Sequence, residues 1–466
     1  MSFKIKSLCL IATIAQSTYA APIDWKGTFA FDTTIIKDAR RTGENCTPAA
    51  GSQCINPDEE NARFQSMILK LNPNLIVNDA VTIKGELTTG QGTRSAKLGE
   101  STKALDNGGS YYTQSTQSAL NVNQIYAEIY ADTALYRVGR FSKDWGLGAV
   151  VNSGKDTWDR FYSGYEGIEA QLKLGSFYLT PMWAKLHTNG TPNGKYDAYE
   201  TSIAALYDNA NRNLKFGVYY SIKEVETNNT LYNGGTAGSQ KVNLIDVYMA
   251  KEWESFSIAF EVPMLSGEIN NLYGTGNADF DSNAYIVETK YNLNSKWNLG
   301  LNAGIVKGDD GTTNSFEGMY LNPNYKKSLI MYNYNQHALM DGTKDVYNSS
   351  IVNSTYTQLF AHYRSDEWTW KMSFLWATAN EVAKTGDAYY DHDYRQKVTT
   401  IVADQSDELG YEFDLSFDYQ WNTNIIFSGM MAYHVVGDFY AFKNDASDAL
   451  DTANVLLTGM KLGINF

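Results

Sequence analysis

The chain has 466 residues, 14% of them aromatic, with 33 Tyr and a formal net charge of −14. Its carboxylates are spread through many segments, so it carries no acidic tail, and an acidic chain is a poor partner for nucleic acid. No run of about 18 apolar residues follows the N-terminus, which excludes a transmembrane helix but not a crossing by strands, whose lipid-facing residues are diluted one-to-one by polar ones.

Residues 1–20 read as a secretory signal peptide. Lys4 and Lys6 make the start basic, Leu8 to Ala15 form a short apolar core, and Thr18-Tyr19-Ala20 offers small residues for cleavage. Residues 21–466 then form one domain. Cys46 and Cys54, in CTPAAGSQC, would meet in an oxidising compartment and are expected to form a small local disulfide. A metal site would want more Cys or His nearby, so neither metal nor cofactor is expected.

From there the chain alternates. Trp25, Gly27, Phe29 and Phe31 share one parity, as do Met67, Leu69 and Leu71, then Ile125, Ala127 and Ile129, then Ile168, Ala170 and Leu172. Leu214 to Ile222, Phe256 to Met264, Trp297 to Ile305 and Trp368 to Trp376 each hold one apolar parity for several steps. In LGYEFDLSFDYQW (409–421) every odd residue is large and apolar and every even one is polar or Gly. A period of two means strands. Soluble strands usually run about 5–6 residues, whereas about 9–11 tilted residues cross a bilayer in a barrel.

The connections carry more information than the strands. Short polar turns fall at Asn78–Ala80, Asp132–Ala134, Gly175–Ser176, Asp208–Asn213, Glu252–Ser255, Leu293–Lys296, Ser365–Glu367 and Gln420–Asn424. Between them lie long stretches rich in Gly, Asn, Asp, Ser and Thr, the longest at about 307–353. Eight turns alternate strictly with nine loops. That rhythm predicts an all-β, up-and-down antiparallel transmembrane barrel of about 18 strands, within a range of 16–20, with both mature termini on the turn (periplasmic) side. SLIMYNYN (328–335) could be an extra strand, but it would break the rhythm; it is assigned to the longest loop, folded into the lumen. The last strand keeps Leu456, Met460, Leu462, Ile464 and Phe466 on one face. Its terminal Phe466 resembles the signature that outer-membrane assembly machinery reads.

Three stretches carry a family resemblance. YRVGRFSKDWGLG (136–148) resembles the R-x-G-R…W-G segment of large bacterial porins. ELGYEFDLSFDYQW with AYHVVGDFY (432–440) is similar to the closing hairpin of alginate-export-type barrels, and Asn322–Tyr325 stands where such proteins carry a loop motif. The resemblance implies an 18-stranded porin of the outer membrane with a constricting loop. Its expected partners are outer-membrane lipid and lipopolysaccharide, the barrel-assembly machinery, small polar solutes and two further copies in a homotrimer.

The parity opposite the apolar face gives the expected pore lining: Glu128, Arg137, Glu169, Lys173, Glu200, Lys215, Lys223, Asp246, Glu261, Glu288, Lys290, Arg364, Lys371, Glu412, Asp414 and Asp418. Arg140 is added from the motif strand, although Arg137 and Arg140 can both face inward only across a bulge near Gly139. Neither charge sign dominates this lining, and a mild cation preference is expected from net charge. Such residues could orient polar solutes by a transverse field or pair into structural networks. Trp25, Trp253, Tyr291, Trp297, Trp368, Tyr411, Tyr419 and Trp421 fall at strand ends and read as interfacial girdles, with sugar-stacking platforms the rival reading.

Catalysis finds little support. His187, His337, His362, His392 and His434 are the only histidines, no G-x-S-x-G occurs, and the Gly146-x-Gly148 of WGLG lacks the third Gly of a dinucleotide fingerprint. DHD (391–393) and the pair Asp279/Asp281 lack a full calcium-loop pattern. The expectation is a channel for passive diffusion of small polar solutes and ions. A substrate-specific oligosaccharide or polysaccharide channel is the alternative, and an adhesive or structural surface barrel a further one.

Overall fold

The structure is a computed structural model that describes residues 23–39, 41–42, 61–89, 121–161, 163–187, 198–225, 239–269, 278–336, 347, 349–445 and 450–466. The expected signal peptide and the Cys46–Cys54 disulfide lie outside the described residues.

Eighteen strands form the wall. They are β1 Ile23–Lys37, β2 Ala62–Asn78, β3 Val81–Thr89, β4 Asn121–Tyr130, β5 Ala134–Ser142, β6 Gly164–Leu174, β7 Phe177–His187, β8 Ala198–Asn209 and β9 Leu214–Val225. The second half holds β10 Gln240–Glu252, β11 Phe256–Ile269, β12 Ala278–Asn292, β13 Trp297–Val306, β14 Ser354–Arg364, β15 Trp368–Ala379, β16 Glu408–Gln420, β17 Ile425–Val436 and β18 Val455–Asn465. Each pairs antiparallel with its sequence neighbour, and β18 returns to β1 with Leu462 opposite Phe31, so the barrel is closed. Gly27 and Phe466 exchange two backbone hydrogen bonds of 2.8 and 2.9 Å, which ties both ends of the wall together on the turn side.

The expected rhythm of turns and loops is present. The short turns are closed by local side-chain chemistry. Asn294 Oδ1 accepts from the N–H of Lys296 and Trp297, both at 2.9 Å, and Asn422 Oδ1 does the same for Asn424 and Ile425. Asn213 takes the left-handed conformation at φ 47° between β8 and β9. Outside the wall, Ser315–Phe316 pairs in parallel with Asp279–Phe280, and Tyr389–Asp391 pairs with Gln396–Val398 as a hairpin in the loop after β15.

Two expectations about facing need correction. The alternation of 409–421 slips once, at its start. Glu408 pairs with Thr378 and Gly410 with Ala377, so Leu409 is bulged; Gly410 has φ +100°. Leu409 is buried inside among Trp145, Leu375 and Ala377, while Tyr411, Phe413 and Leu415 face out. The second correction concerns Arg140. The β4–β5 and β5–β6 ladders run through Gly139 without a register shift. Arg137 therefore shares the inward parity with Phe141, and Arg140 takes the opposite one, where it is buried against Glu166 and the Val122 carbonyl.

Facing is testable by charge. Phe413 is 51% exposed at the middle of β16. An arginine on a lipid face near the midplane costs about 2–4 kcal/mol. Phe413→Arg is therefore expected to lower the yield of heat-modifiable, folded barrel on cold gels, whereas Asp414→Arg, one residue on and facing inward, should assemble. The reverse pattern would show the facing to be wrong.

Candidate functional site

Among the described residues, the loops after β5 and β13 fold into the lumen and narrow it. The first joins β5 to β6 and contains WGLG. Gly146 (φ +59°) and Gly148 (φ +77°) turn the chain back, so that the Trp145 N–H reaches the Val151 carbonyl at 3.0 Å. The turn lies against the wall: Glu261 of β11 accepts the Leu147 N–H, and a Cβ on Gly146 would fall 2.4 Å from Glu261 Oε2. Only glycine permits that approach. Trp145 packs on Tyr219 and Tyr248, with ring centroids 5.7 and 6.4 Å away.

The second is the loop between β13 and β14, and its Asn-Pro-Asn-Tyr holds the two loops together. The Asn322 N–H donates to the Ala149 carbonyl (2.7 Å) and its Nδ2 to that of Val150 (3.3 Å). Asn324 Oδ1 accepts from the N–H of Arg160 (3.3 Å) and Phe161 (3.2 Å), and its Nδ2 donates to the Phe161 carbonyl (2.5 Å). The next residues reach the wall. Tyr325 Oη and Lys327 Nζ both bond Glu288 Oε1, at 2.7 and 2.5 Å. The backbone N–H groups of Leu329, Ile330 and Met331 converge on the Glu412 carboxylate at 2.9, 2.6 and 2.7 Å. The segment 328–335 is thus part of the constricting loop and adds no strand to the wall.

Behind these loops lies a cavity of about 370 Å³. Arg160, Lys326, Lys327, Lys371 and Lys461 line it, with Asp32, Asp159, Asp414, His362, Trp158 and Tyr347. Most of these charges have partners. Arg160 pairs with Asp32 at 3.1 Å and lies 3.8 Å over the Tyr347 ring. Lys371 pairs with Asp418 at 2.7 Å, and Asp414 accepts from Ser373 Oγ at 2.8 Å. Lys326 and Lys461 have no ion pair among the described residues; Lys461 Nζ sits 5.0 Å over the Trp158 ring. Burial, with the neighbouring Lys461 and Arg160, pushes the Lys326 ammonium down to about 7, against a smaller pull from Asp159 and Asp32.

The expected lining residues fall into three groups. Glu128, Arg137, Glu169, Glu200, Lys223, Asp246, Glu261 and Glu412 take inward positions that the loops or their neighbours cover. Several are knit together: Arg137 bridges Glu128 (3.2 Å) and Glu169 (3.0 Å), Lys84 joins Glu128 at 2.7 Å, and Tyr219 Oη donates to Glu200 at 2.6 Å. Lys173, Lys215, Lys290 and Arg364 lie at the turn-side ends of their strands, Lys215 paired with Asp208 at 3.0 Å. Glu288 touches the second loop, Lys371 and Asp414 line the cavity, and Asp418, near the turn-side end of β16, pairs with Lys371. Arg160, Lys326 and Lys461 were not expected at the cavity. Lys461 was legible, since it takes the inward parity of the last strand. Arg160 and Lys326 lie on loops, where no periodicity marks a facing.

Among the strand-end aromatics, Trp25, Trp253, Tyr291 and Trp421 are exposed on the outer wall near the turn rim, and Trp368 meets Tyr419 (4.6 Å) and Trp297 meets Tyr363 (4.9 Å) in tilted ring contacts on the same rim. Tyr411 lies toward the loop end, beside Phe374 and Phe413.

Solved structures share this architecture. OccK9 (OpdG) of Pseudomonas aeruginosa superposes with a TM-score of 0.52 at 10% identity, over 95% of this chain and 98% of that one. OpdK of the same organism gives 0.51 at 10%, over 95% and 99%. OccK2 (OpdF), solved in complex with glucuronate, gives 0.51 at 9%, over 95% and 98%. The fold is that of outer-membrane porins. The alginate-export resemblance is not carried by these neighbours. No protein-family model matches the chain, and no curated protein matches it by sequence.

Proposed function

We propose that the protein is an outer-membrane channel of narrow bore, which passes small polar solutes by diffusion and favours anionic ones at its constriction. The observation that carries the reading is the cavity of about 370 Å³ between the in-folded loops and the wall, to which Lys326 and Lys461 present ammonium groups without ion pairs among the described residues. Barrels of about 16–18 strands enclose an aqueous lumen, so loops are needed to make one selective. The carboxylates that outnumber the bases in the chain are spent differently: Glu261, Glu288 and Glu412 hold loops, and Glu128 and Glu169 hold Arg137. Local charge at the narrowest point, not net charge, sets ion preference. This reading departs from the cation preference that a charge of −14 suggests. The outward aromatics fit interfacial girdles, and the exposed Phe466 fits recognition by assembly machinery.

The test is single-channel current of the folded protein in a planar bilayer under a salt gradient. Stable ohmic steps with a reversal potential of anionic sign are expected. A cationic sign would remove the anion preference, and no current from protein shown to be folded would remove the channel.

A further inference from the structure

We infer that Glu412 is a positioning residue: it sets both the bore and the ion preference by holding the loop that carries Lys326 and Lys327. The selectivity half of this inference rests on the channel reading above; the bore half does not.

The segment 328–331 pairs with no strand of the wall, so its backbone N–H groups must find acceptors elsewhere. Three consecutive ones, of Leu329, Ile330 and Met331, find the same carboxylate. Glu412 is wholly buried in β16, and no lysine or arginine pairs with it among the described residues. Its ladder neighbours are Leu375 and His434, and His434 Nε2 is 3.1 Å from the Leu409 carbonyl. The Glu412 carboxyl also meets that of Asp414, two residues on, in a side-chain hydrogen bond, and its two oxygens still have lone pairs for the three N–H groups. A glutamine there offers one acceptor oxygen and turns an amide NH₂ toward N–H donors. The loop would lose its hold two residues after Lys327, which would keep its ammonium on Glu288 at 2.5 Å and its carbonyl on Gln358 Nε2.

This role has a signature that a simple lining charge cannot imitate. If Glu412 acted on passing ions directly, Glu412→Gln would delete a negative charge and raise anion preference. If it positions the loop, Glu412→Gln moves Lys326 and Lys327 away from the cavity and anion preference falls. Conductance should rise roughly twofold, as a loop leaves an aqueous lumen, and liposomes should admit larger neutral saccharides. Lys326→Gln is the companion variant, which should lower anion preference without widening the pore. Higher anion preference at unchanged bore in folded Glu412→Gln would overturn the inference. Failure of Lys326→Gln alone would instead overturn the anion reading. Should Glu412→Gln not fold, hydrogen exchange of the wild-type segment 329–331 decides: slow exchange is expected, and exchange at the rate of a free loop would refute the anchor.

Discussion

Lys326→Gln is expected to cut the anion-to-cation permeability ratio by about an order of magnitude. A unit charge about 5 Å from a passing ion contributes about 0.8 kcal/mol at the dielectric of water. That is about fourfold for each ion sign, and the two signs move oppositely, so the ratio changes by about fifteenfold. The figure applies where the Lys326 ammonium is fully charged, at a pH well below about 7. Lys326 is chosen over Lys371, Lys327 or Arg160 because those three are paired with Asp418, Glu288 and Asp32. Removing a paired base leaves its carboxylate behind and confounds the result. The ammonium of Lys326 also titrates within reach, being held down to about 7 by burial and by Lys461 and Arg160. The sign follows directly: the group is charged below that value and neutral above it. Anion preference of the wild type should therefore fall as pH rises from about 6 to about 8, and Lys326→Gln should be flat across the same range. Reversal potentials at each pH measure both. A wild-type profile as flat as the variant's would show that this lysine does not face the ions.

The wall was legible because its signal is redundant. Strict alternation of short turns with long loops fixes the number of strands, and inward and outward parity follows from any one lipid-facing residue in each. Parity reasoning failed where backbone geometry changes at a glycine. At Gly410 a bulge turns Leu409 inward, although its side chain looks like every other apolar residue of LGYEFDLSFDYQW. At Gly139 the opposite happened: φ +130° hints at a bulge, yet the ladder passes straight through, and Arg140 stays on the face opposite Arg137. The site itself was half legible. Glu261, Glu288 and Glu412 were found as inward carboxylates, but their work could not be read, because each is defined by a loop more than 30 residues away in sequence. The R-x-G-R…W-G and Asn-Pro-Asn-Tyr stretches were recognised separately. That the Asn-Pro-Asn-Tyr docks on the loop that continues from the first stretch is a fact of tertiary structure, carried by Asn322 on Ala149 and Val150 and by Asn324 on Phe161.

That junction yields the second large effect. Asn324→Ala is expected to uncouple the two loops while leaving the barrel intact. The amide of Asn324 satisfies the N–H groups of Arg160 and Phe161 and the carbonyl of Phe161. Alanine leaves these groups without that partner, at about 1–3 kcal/mol for each that water does not reach. The docking of one loop on the other would weaken by on the order of 3 kcal/mol, enough to populate an undocked state. None of the 18 strand pairings involves Asn324, so the thermal transition of the barrel should barely move. Arg160 would lose the backbone bond that places it, and with it the alignment of its guanidinium on Asp32 and Tyr347. The expected record is a noisy channel that steps between the wild-type level and a larger one, with protease access to the loop between β13 and β14. Asn324→Asp keeps the acceptor for the two N–H groups and loses the donor to Phe161, so it should fall between the two. Quiet wild-type current from folded Asn324→Ala would mean that the loops are held by the wall alone, through Glu261, Glu288 and Glu412. The junction would then follow from those anchors instead of helping to hold the loops in place.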